Sequence, residues 1–487
     1  MQERYVATAD LGSSKIALSV SKISGDDIQV IYYKETPSDG IRYSCVFNPK
    51  RAAVPLSKAI KEAEDELKIN ILQIVVGLPR YSVRQEVASA KMERSDPDSC
   101  ITREEVEMLK SMAIDTYPIP DDTKETSYGA VAQSFSADDE LVCANEADVI
   151  GTVADELEGN FKIFVGTQKA IKNIDIMLNE AGIAPAHKLF LPNSVAQSVL
   201  TDEEKENGVA LVEFGAGVTS VTIYRGKILR HYSAIPFGGK SITSDIKYEC
   251  GFNDSLAENI KLAFGACMPD KLQSLSEKVI QINDDECGSY EQLPVKYLSE
   301  IVNARAKEIV EAVLYQIQES GYADKLRNGI VVTGGCANLV NLPNLIKDMS
   351  GYNVRAGFPR RNFSADGCAG VSELSAAASI GMILEAKKDP RLNCIEDAYV
   401  EKSSAQASED ETAAATTAEA ADTEAEDTAS SQGTLFGSEI ITPTPKKTKK
   451  DKAPKSNIFW TKLKGRVGGT LEKTFDNTVG NLFDTME

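Results

Sequence analysis

Histidine is scarce in this chain, and its cysteines are scattered. The 487 residues include only two histidines, His187 and His231, and none of the nine cysteines forms a Cys-x-x-Cys pair. Zinc sites and disulfide frameworks need such residues in clusters at characteristic spacings, so the sequence predicts neither. Unpaired thiols are typical of a reducing compartment.

Long apolar runs and an excess of positive charge are also missing. No stretch reaches the roughly 18 apolar residues of a transmembrane helix. The chain begins Met-Gln-Glu-Arg-Tyr and continues into a predicted strand, so we expect no signal peptide. The net charge of −20 argues against general nucleic-acid binding, which needs a basic surface. These absences favour a protein that is kept inside the cell.

A glycine-containing turn between two predicted strands is the first functional signal. The residues after Asp10 read Leu-Gly-Ser-Ser-Lys, and the next strand begins at Lys15. Gly12 allows close approach of the backbone, and the N–H groups and hydroxyls around Ser13 and Ser14 can surround an anion. The Asp10 carboxylate is placed to hold a hydrated Mg²⁺. The turn alone is equally compatible with an ordinary hairpin.

The same pattern recurs about 203 residues later. A strand predicted over 208–214 is followed by a turn at Gly215, Ala216 and Gly217, and a second strand begins at Val218. An internal repeat of this kind indicates a duplicated domain. Two related halves that face each other can enclose a nucleotide, so the repeat strengthens the interpretation of both turns as phosphate sites.

Further candidate residues follow in the second half. Glu258 and Lys261 lie three residues apart on a predicted helix and therefore share a face. Gly334 and Gly335 follow a predicted buried strand, and such a pair would let a flat ring lie against the backbone. The remaining candidates are Gly238, Gly239 and Lys240 before a helix, and Gly334, Gly335 and Cys336 after the strand.

Residues 80–160 differ from their surroundings. They predict a small α+β unit, with strands over 125–136 and 140–149 and a helix that begins with the capping box of Thr102 and Glu105. The unit contains no nucleophile with a partner base, so we interpret it as an interaction module set into the first half.

The end of the chain has a different character. Residues 391–456 predict an unstructured linker, because 401–430 hold nine acids against one lysine and then nine basic residues against one acid occur in 446–466. Residues 457–487 predict an amphipathic membrane-surface segment. A helix that docks on a protein remains the alternative. The residues of this segment predicted to contact the membrane are Phe459, Trp460, Leu463, Val467, Leu471, Phe475, Val479, Leu482 and Phe483.

The ordered set of motifs resembles the actin-like ATPases, and within them the FtsA family of bacterial division proteins. Asp10–Ile16 is similar to the first phosphate motif, 212–220 to the second, and 330–336 to the adenosine motif. The resemblance implies an α/β fold of duplicated actin-like (ribonuclease H-like) halves around a cleft for ATP and Mg²⁺. The implied domains are 1–79 with 161–207, the insert 80–160, and the second half 208–390.

The resemblance also implies partners. It predicts self-assembly into actin-like filaments, contact of the insert with downstream division proteins, and an anionic membrane surface at the septum for the tail. It further predicts that the second half binds the C-terminal peptide of FtsZ, the tubulin-like division GTPase. By position, Lys296, Asn303 and Arg305 are the exposed candidates for that contact.

Two departures from the family pattern predict weak or absent ATP hydrolysis. The second phosphate motif departs from the family at four places, where relatives have Asp, Gly, Thr and Asp and this chain has Glu213, Ala216, Val218 and Ser220. Displacements of ~1 Å can slow a reaction ~10²-fold. Leu191 precedes Pro192 where many relatives have an acid, so no general base is evident. Catalytic roles for Asp10 and Glu213 stay open. The alternatives are a small-molecule kinase, a chaperone-type ATPase and a pilus-machine adaptor of the same superfamily.

Overall fold

The computed structural model of the chain describes residues 3–396, apart from residues 139–140, 144, 273–277, 285–288, 361, 366 and 369. The predicted amphipathic segment and the linker from residue 397 onward lie outside the described residues. Among the helices that are described, none is long and apolar enough to cross a membrane.

The chain opens with an antiparallel meander followed by a helix and a parallel strand. Helix formation is favoured at Asn48, whose side chain accepts a hydrogen bond from the Arg51 N–H, and the helix buries a face that includes Leu56 and Ala59. The last strand pairs in parallel with the first. The elements are β1 (Arg4–Leu11), β2 (Lys15–Ser24), β3 (Asp27–Pro37), β4 (Ile41–Arg42), β5 (Cys45–Val46), α1 (Pro49–Leu67) and β6 (Gln73–Gly77).

The inserted unit forms its own sheet with the strand order β7-β10-β8-β9. Its core includes Leu109, Phe135, Leu157 and Phe161. The predicted capping box of Thr102 and Glu105 is confirmed. Its elements are β7 (Arg84–Glu93), α2 (Arg103–Thr116), β8 (Glu125–Ala137), β9 (Leu141–Cys143), α3 (Glu146–Val149) and β10 (Glu156–Thr167).

Two sequence predictions about the insert differ from the structure. The prediction of one strand over 140–149 was wrong, because a short helix begins after Asn145 and its acidic first turn suits a helix N-terminus. The boundary placed at 160 falls inside β10, which pairs with β8 as far as Thr167. The inserted sheet therefore extends seven residues beyond the predicted boundary.

The chain then returns to the first sheet and crosses to the second half. The returning strand completes a sheet with the order β11-β6-β1-β2-β3. The elements are α4 (Gln168–Glu180), β11 (Ala184–Leu189), α5 (Leu191–Val199) and α6 (Asp202–Asn207).

The second half repeats this architecture around the sheet β14-β13-β12-β17-β18. The sequence did not predict its β15–β16 hairpin. The elements are β12 (Val209–Phe214), β13 (Thr219–Arg225), β14 (Ile228–Ile235), α7 (Gly239–Cys250), α8 (Asp254–Phe264), β15 (Val279–Asp284), β16 (Ser289–Pro294), α9 (Val295–Glu319), β17 (Ile330–Thr333), α10 (Leu342–Ser350), β18 (Val354–Ala356) and α11 (Ala377–Ala386).

The two large sheets confirm the internal repeat. Each consists of three antiparallel strands followed by two strands that pair in parallel. In the first hairpin Asp10 lies opposite Ala17, and in the second Glu213 lies opposite Ser220. Asp10 and Glu213 therefore occupy the same position, one residue before the end of the central strand of each half.

A polar interface joins the insert to β14 at the edge of the second sheet. Gln85 accepts a hydrogen bond from the Tyr232 N–H, and its amide nitrogen lies 2.8 Å from Nδ1 of His231. The first contact fixes the orientation of the amide, so the Gln85 NH₂ donates and His231 Nδ1 accepts. The Lys162 ammonium also donates to the carbonyl of Arg230.

This interface predicts a loss of stability in acid. Burial, with the nearby Lys162 charge, lowers the pKa of His231 from 6.5 to about 4. The neutral ring is therefore preferred in the folded state, and its contribution is complete above pH 6.5 and is lost as the pH falls from 6.5 towards 4. We expect the free energy of unfolding to fall by about 1 kcal/mol between pH 7 and pH 5 through this group, because the half-buried ring keeps part of its solvation.

Urea unfolding at both pH values measures this loss. His231→Gln should reduce the pH dependence, whereas His187→Gln should keep it because His231 is intact. An unchanged pH dependence in His231→Gln would show that other groups cause the acid effect.

Candidate functional site

The two glycine hairpins meet at one point between the halves. A Cβ on Gly217 would lie 2.8 Å from the Ser13 hydroxyl oxygen. That hydroxyl accepts a hydrogen bond of 2.9 Å from the Ser44 N–H. The two predicted phosphate loops, which are about 200 residues apart in sequence, are therefore in direct contact.

The turns also share their backbone geometry. A Cβ on Gly12 would lie 2.6 Å from the Lys15 carbonyl oxygen, and a Cβ on Gly215 would lie 2.6 Å from that of Val218. Such a distance excludes a side chain at either position, so glycine is needed for the tight turn itself.

The side chains around the two loops have different environments. Ser14 is exposed, and the Lys15 ammonium forms an ion pair with Glu35. Ala216 is partly exposed, and Val218 is buried. Lys15 thus already has an anionic partner within the first sheet, and the Val218 side chain belongs to the core.

The N-terminus of α7 is bound to the second loop. The Gly239 and Lys240 N–H groups donate to the carbonyls of Gly215 and Ala216 over 3.0 and 2.7 Å. A Cβ on Gly238 would lie 2.4 Å from the Gly215 carbonyl oxygen. The Lys240 ammonium donates to the Ser13 carbonyl over 2.6 Å and so connects the second half to the first loop. Burial lowers the pKa of Lys240.

Glu258 and Lys261 come together on α8 as their spacing predicts. The buried Lys261 ammonium lies 2.7 Å from the Glu258 carboxylate, and it also donates to the Thr243 hydroxyl and the Gly239 carbonyl. This cluster connects α8 to the start of α7. The partly exposed Glu258 carboxylate is the member that a ligand hydroxyl can reach.

The two glycines after β17, Gly334 and Gly335, have different surroundings. Gly334 has a φ of +91°, and a Cβ there would lie 2.5 Å from the Phe214 carbonyl oxygen. Gly335 is exposed, and a Cβ there would meet nothing nearer than 3.9 Å. Gly335 thus leaves an open surface on which a flat ring can lie. Burial raises the pKa of the adjacent Cys336 thiol to about 11, so the thiol is neutral at pH 7.

Arg80 is the site residue that the sequence reasoning missed. Its side chain is buried after β6, and it donates to Glu213 from Nε over 3.0 Å and to Asp10 from Nη2 over 3.2 Å. It also donates to the Ser44 hydroxyl over 3.2 Å, and its carbonyl accepts from the Tyr232 hydroxyl. Arg80 therefore joins equivalent carboxylates from the two halves.

Burial and neighbouring charges have opposite effects on the pKa of Arg80 and on the pKa of Glu213. Burial lowers the pKa of Arg80, but the carboxylates of Asp10 and Glu213 outweigh it and raise that pKa. Burial raises the pKa of Glu213, and Arg80 opposes that rise. Because the guanidinium stays charged, it is the cation that compensates two buried acids.

The cleft fits a nucleotide better than it fits a magnesium ion. The exposed Gly335 surface and Glu258 suit a nucleoside, and Lys240 suits a phosphate. However, the carboxylates predicted to hold the metal already bind Arg80, and a second cation there would be repelled. No group of three His, Cys, Asp or Glu side chains that could hold a metal occurs in the part of the chain that the structure describes.

The residues predicted to contact FtsZ lie on α9, but not all are exposed. The predicted exposure of Asn303 was wrong, because its side chain is buried. Its side-chain amide oxygen accepts a hydrogen bond from the Met268 N–H over 3.0 Å. Arg305 forms ion pairs with Asp245 and Glu308. Lys296 is partly exposed.

Sequence comparison identifies relatives over most of the chain. The sequence model described as Cell division protein FtsA matches residues 210–381. The chain is 28% identical to the Cell division protein FtsA of Neisseria meningitidis over 361 residues, which are 74% of this chain and 85% of that protein. It is 26% identical to that of Streptococcus pneumoniae over 74% of this chain and 77% of that protein. The chain is therefore similar to FtsA proteins over about three quarters of its length.

A solved structure supports the fold assignment. A chain of the PilM-PilN type IV pilus biogenesis complex has a TM-score of 0.53 and 16% identity, covering 79% of this chain and 99% of that chain. At this identity the likeness shows the fold alone. Together with the duplicated sheets it confirms the predicted actin-like α/β fold of this chain.

Proposed function

We propose that this chain is an FtsA family member that binds ATP, polymerises, and tethers FtsZ filaments to the cytoplasmic membrane at the division site. The observation that carries the proposal is the contact between the two glycine hairpins, at Ser13 and Gly217, with Lys240 joining them. Backbone turns of this type bind anions, and an ammonium group beside them adds charge. The nucleotide lies between the halves and so can control their arrangement.

Slow or absent hydrolysis is part of the proposal. The Glu213 carboxylate accepts from Arg80 and lies 3.5 Å from the Ser220 hydroxyl. Its oxygen is thus already engaged by a permanent cation, which makes it a poor base for water. The start of α5, at Leu191, is buried and offers no acid in its place.

The insert and the tail are proposed to make the partner contacts. The insert exposes apolar side chains at Val87 in the edge strand β7, and at Met108 and Met112 one turn apart on α2. Such positions suit a protein partner, here a protomer or a downstream division protein. Lys296 and Arg305 remain the proposed contacts for the FtsZ peptide on α9.

The tail is proposed to bind the membrane because apolar residues and lysines occur together in its sequence. Each lysine near an anionic surface contributes about 1 kcal/mol, and the apolar stripe adds buried area. Residues 457–487 are therefore expected to hold the chain at anionic bilayers through a long tether of 391–456.

Co-sedimentation of FtsZ polymers with anionic vesicles tests the proposal. The full chain should carry FtsZ into the pellet, and the chain lacking 457–487 should leave at least about tenfold more FtsZ in the supernatant. Phe475→Glu with Leu482→Glu keeps the tail length and should behave like the deletion. FtsZ lacking its C-terminal peptide should stay in solution with every variant.

Equal sedimentation by the truncated chain would exclude the membrane role of the tail. Sedimentation of the full chain with the vesicles while FtsZ stays in the supernatant would exclude the tethering role. The same preparations report ATP turnover, and a rate comparable to that of a dedicated ATPase would contradict the proposed slow hydrolysis.

A further inference from the structure

Arg80 occupies the place where the family pattern predicts a metal ion. The side chain lies between Asp10 and Glu213, the equivalent acids of the two hairpins, and only 9% of its surface is exposed. Its contacts use all three guanidinium nitrogens, because Nε donates to Glu213, Nη2 to Asp10, and Nη1 to both Asp10 and Ser44. This position is therefore specified by several partners and not by one.

A hydrated Mg²⁺ and this guanidinium compete for the same acids. Mg²⁺ needs near-octahedral oxygen ligands and keeps several waters, which require space around the carboxylates. The buried guanidinium takes that space, and its permanent charge repels a divalent ion over the short distance involved. The guanidinium, in contrast, has five N–H donors in a planar fork, a geometry that suits carboxylate and phosphate oxygens alike.

The second cation of the cleft is the ammonium group of Lys240. The Lys240 ammonium donates to the Ser13 carbonyl, and Ser13 in turn accepts from the Ser44 N–H, next to the hydroxyl that Arg80 contacts. Arg80 and Lys240 are thus both connected to the first phosphate loop, Lys240 directly at the Ser13 carbonyl and Arg80 through Ser44. Both groups belong to the chain itself, so a guanidinium and an ammonium donor are present there whether or not a metal is bound.

We infer that Arg80 takes the role of the divalent cation, so that this cleft binds the polyphosphate of a nucleoside triphosphate without a metal ion. The inference rests on the nucleotide binding proposed above. It specifies the ligand as the metal-free nucleotide, with Arg80 and Lys240 as its counter-charges. Asp10 then holds Arg80 in position and is not a metal ligand.

Titration of the full chain with N-methylanthraniloyl-ATP, followed by fluorescence anisotropy, tests the inference without any variant. We expect Kd values in excess EDTA and in excess MgCl₂ to agree within about threefold. A Kd at least about tenfold weaker in EDTA would overturn the inference and leave the proposed function intact. Absence of binding in both media would overturn the proposed nucleotide binding, and the inference with it.

Variants assign the effect to Arg80. Arg80→Gln should bind the nucleotide at least about tenfold more weakly in EDTA, with Mg²⁺ restoring part of the affinity. Arg80→Lys should stay closer to the unmodified chain in EDTA. The matched control is Arg84→Gln, because Arg84 lies four residues further on and pairs with Glu125 on the insert. It should not change either Kd.

Manganese binding gives a readout that does not depend on the nucleotide. The electron paramagnetic resonance signal of free Mn²⁺ should be unchanged by the unmodified chain and reduced by Arg80→Gln, because that substitution uncovers two acids. Stoichiometric Mn²⁺ binding by the unmodified chain that is lost in Asp10→Asn would overturn the inference. Circular dichroism establishes whether Arg80→Gln is folded, and if it is not, the unmodified chain still decides the question in both assays.

Discussion

Replacement of Arg80 by methionine should destabilise the folded chain by about 3–5 kcal/mol, because it leaves buried acids without their cation. The side chains of Asp10 and Glu213 are only 15% and 13% exposed, so water cannot replace the lost partner. The substitution also removes a donor from the Ser44 hydroxyl, which lies beside the first phosphate loop. Since Asp10 and Glu213 belong to different halves, the loss also removes a connection between them.

Urea unfolding, followed by far-ultraviolet circular dichroism, measures this loss of stability. The matched control is Arg84→Met, which removes an arginine that pairs with Glu125 over 2.7 Å but is 36% exposed. An exposed ion pair contributes about 0–1 kcal/mol, so the control should change stability little. Addition of Glu213→Gln to Arg80→Met should restore part of the loss, because it removes one of the uncompensated charges.

Equal losses in Arg80→Met and Arg84→Met would contradict this account. They would show that the buried ion pairs of Arg80 contribute no more to stability than the exposed ion pair of Arg84. The double variant gives an independent check, because a purely steric effect would not be relieved by the neutralisation of Glu213.

The duplicated halves could be predicted from the sequence because their signal is local. Each hairpin needs a glycine whose Cβ would collide with a carbonyl three residues later, at Gly12 and again at Gly215. The alternation of apolar and polar residues on both sides of each turn indicated the strands of each hairpin. The capping box at Thr102 was equally readable, because both of its hydrogen bonds lie within three residues.

Arg80 could not be assigned by the same reasoning, because its partners are distant in sequence. It lies 70 residues from Asp10 and 133 from Glu213. One signal was available, since Arg80 lies three residues after the end of a buried strand and therefore near the carboxyl edge of the sheet, where the parallel strands β1 and β6 end. The error at Asn303 has the same origin, because the N–H that it satisfies belongs to Met268.

A second large effect is expected at Gly381, where the two crossing helices touch. α5 follows the first sheet and leads to the second, whereas α11 follows the second sheet and packs on β1, β2 and β6 of the first. A Cβ on Gly381 would lie 2.1 Å from the Ser194 carbonyl oxygen and 2.4 Å from its carbon. The colliding atoms are backbone atoms of a helix, so they cannot move away as a flexible side chain would.

Gly381→Ala should therefore destabilise the chain, although the same change in an unhindered helix stabilises it by about 1 kcal/mol. We expect a loss of about 2–3 kcal/mol from overpacking, and a larger loss for Gly381→Val because it adds two more methyl groups. The measurement is the urea midpoint with its slope, which separates stability from changes in exposed surface.

Gly335→Ala is the matched control for this substitution. A Cβ at position 335 would meet nothing nearer than the Ser375 Cβ at 3.9 Å, so one added methyl group should change stability by less than about 1 kcal/mol. A stabilised Gly381→Ala would show that α5 and α11 can separate without cost. A destabilised Gly381→Ala with an unaffected Gly335→Ala would establish that the close packing of α5 against α11 contributes to the stability of the fold.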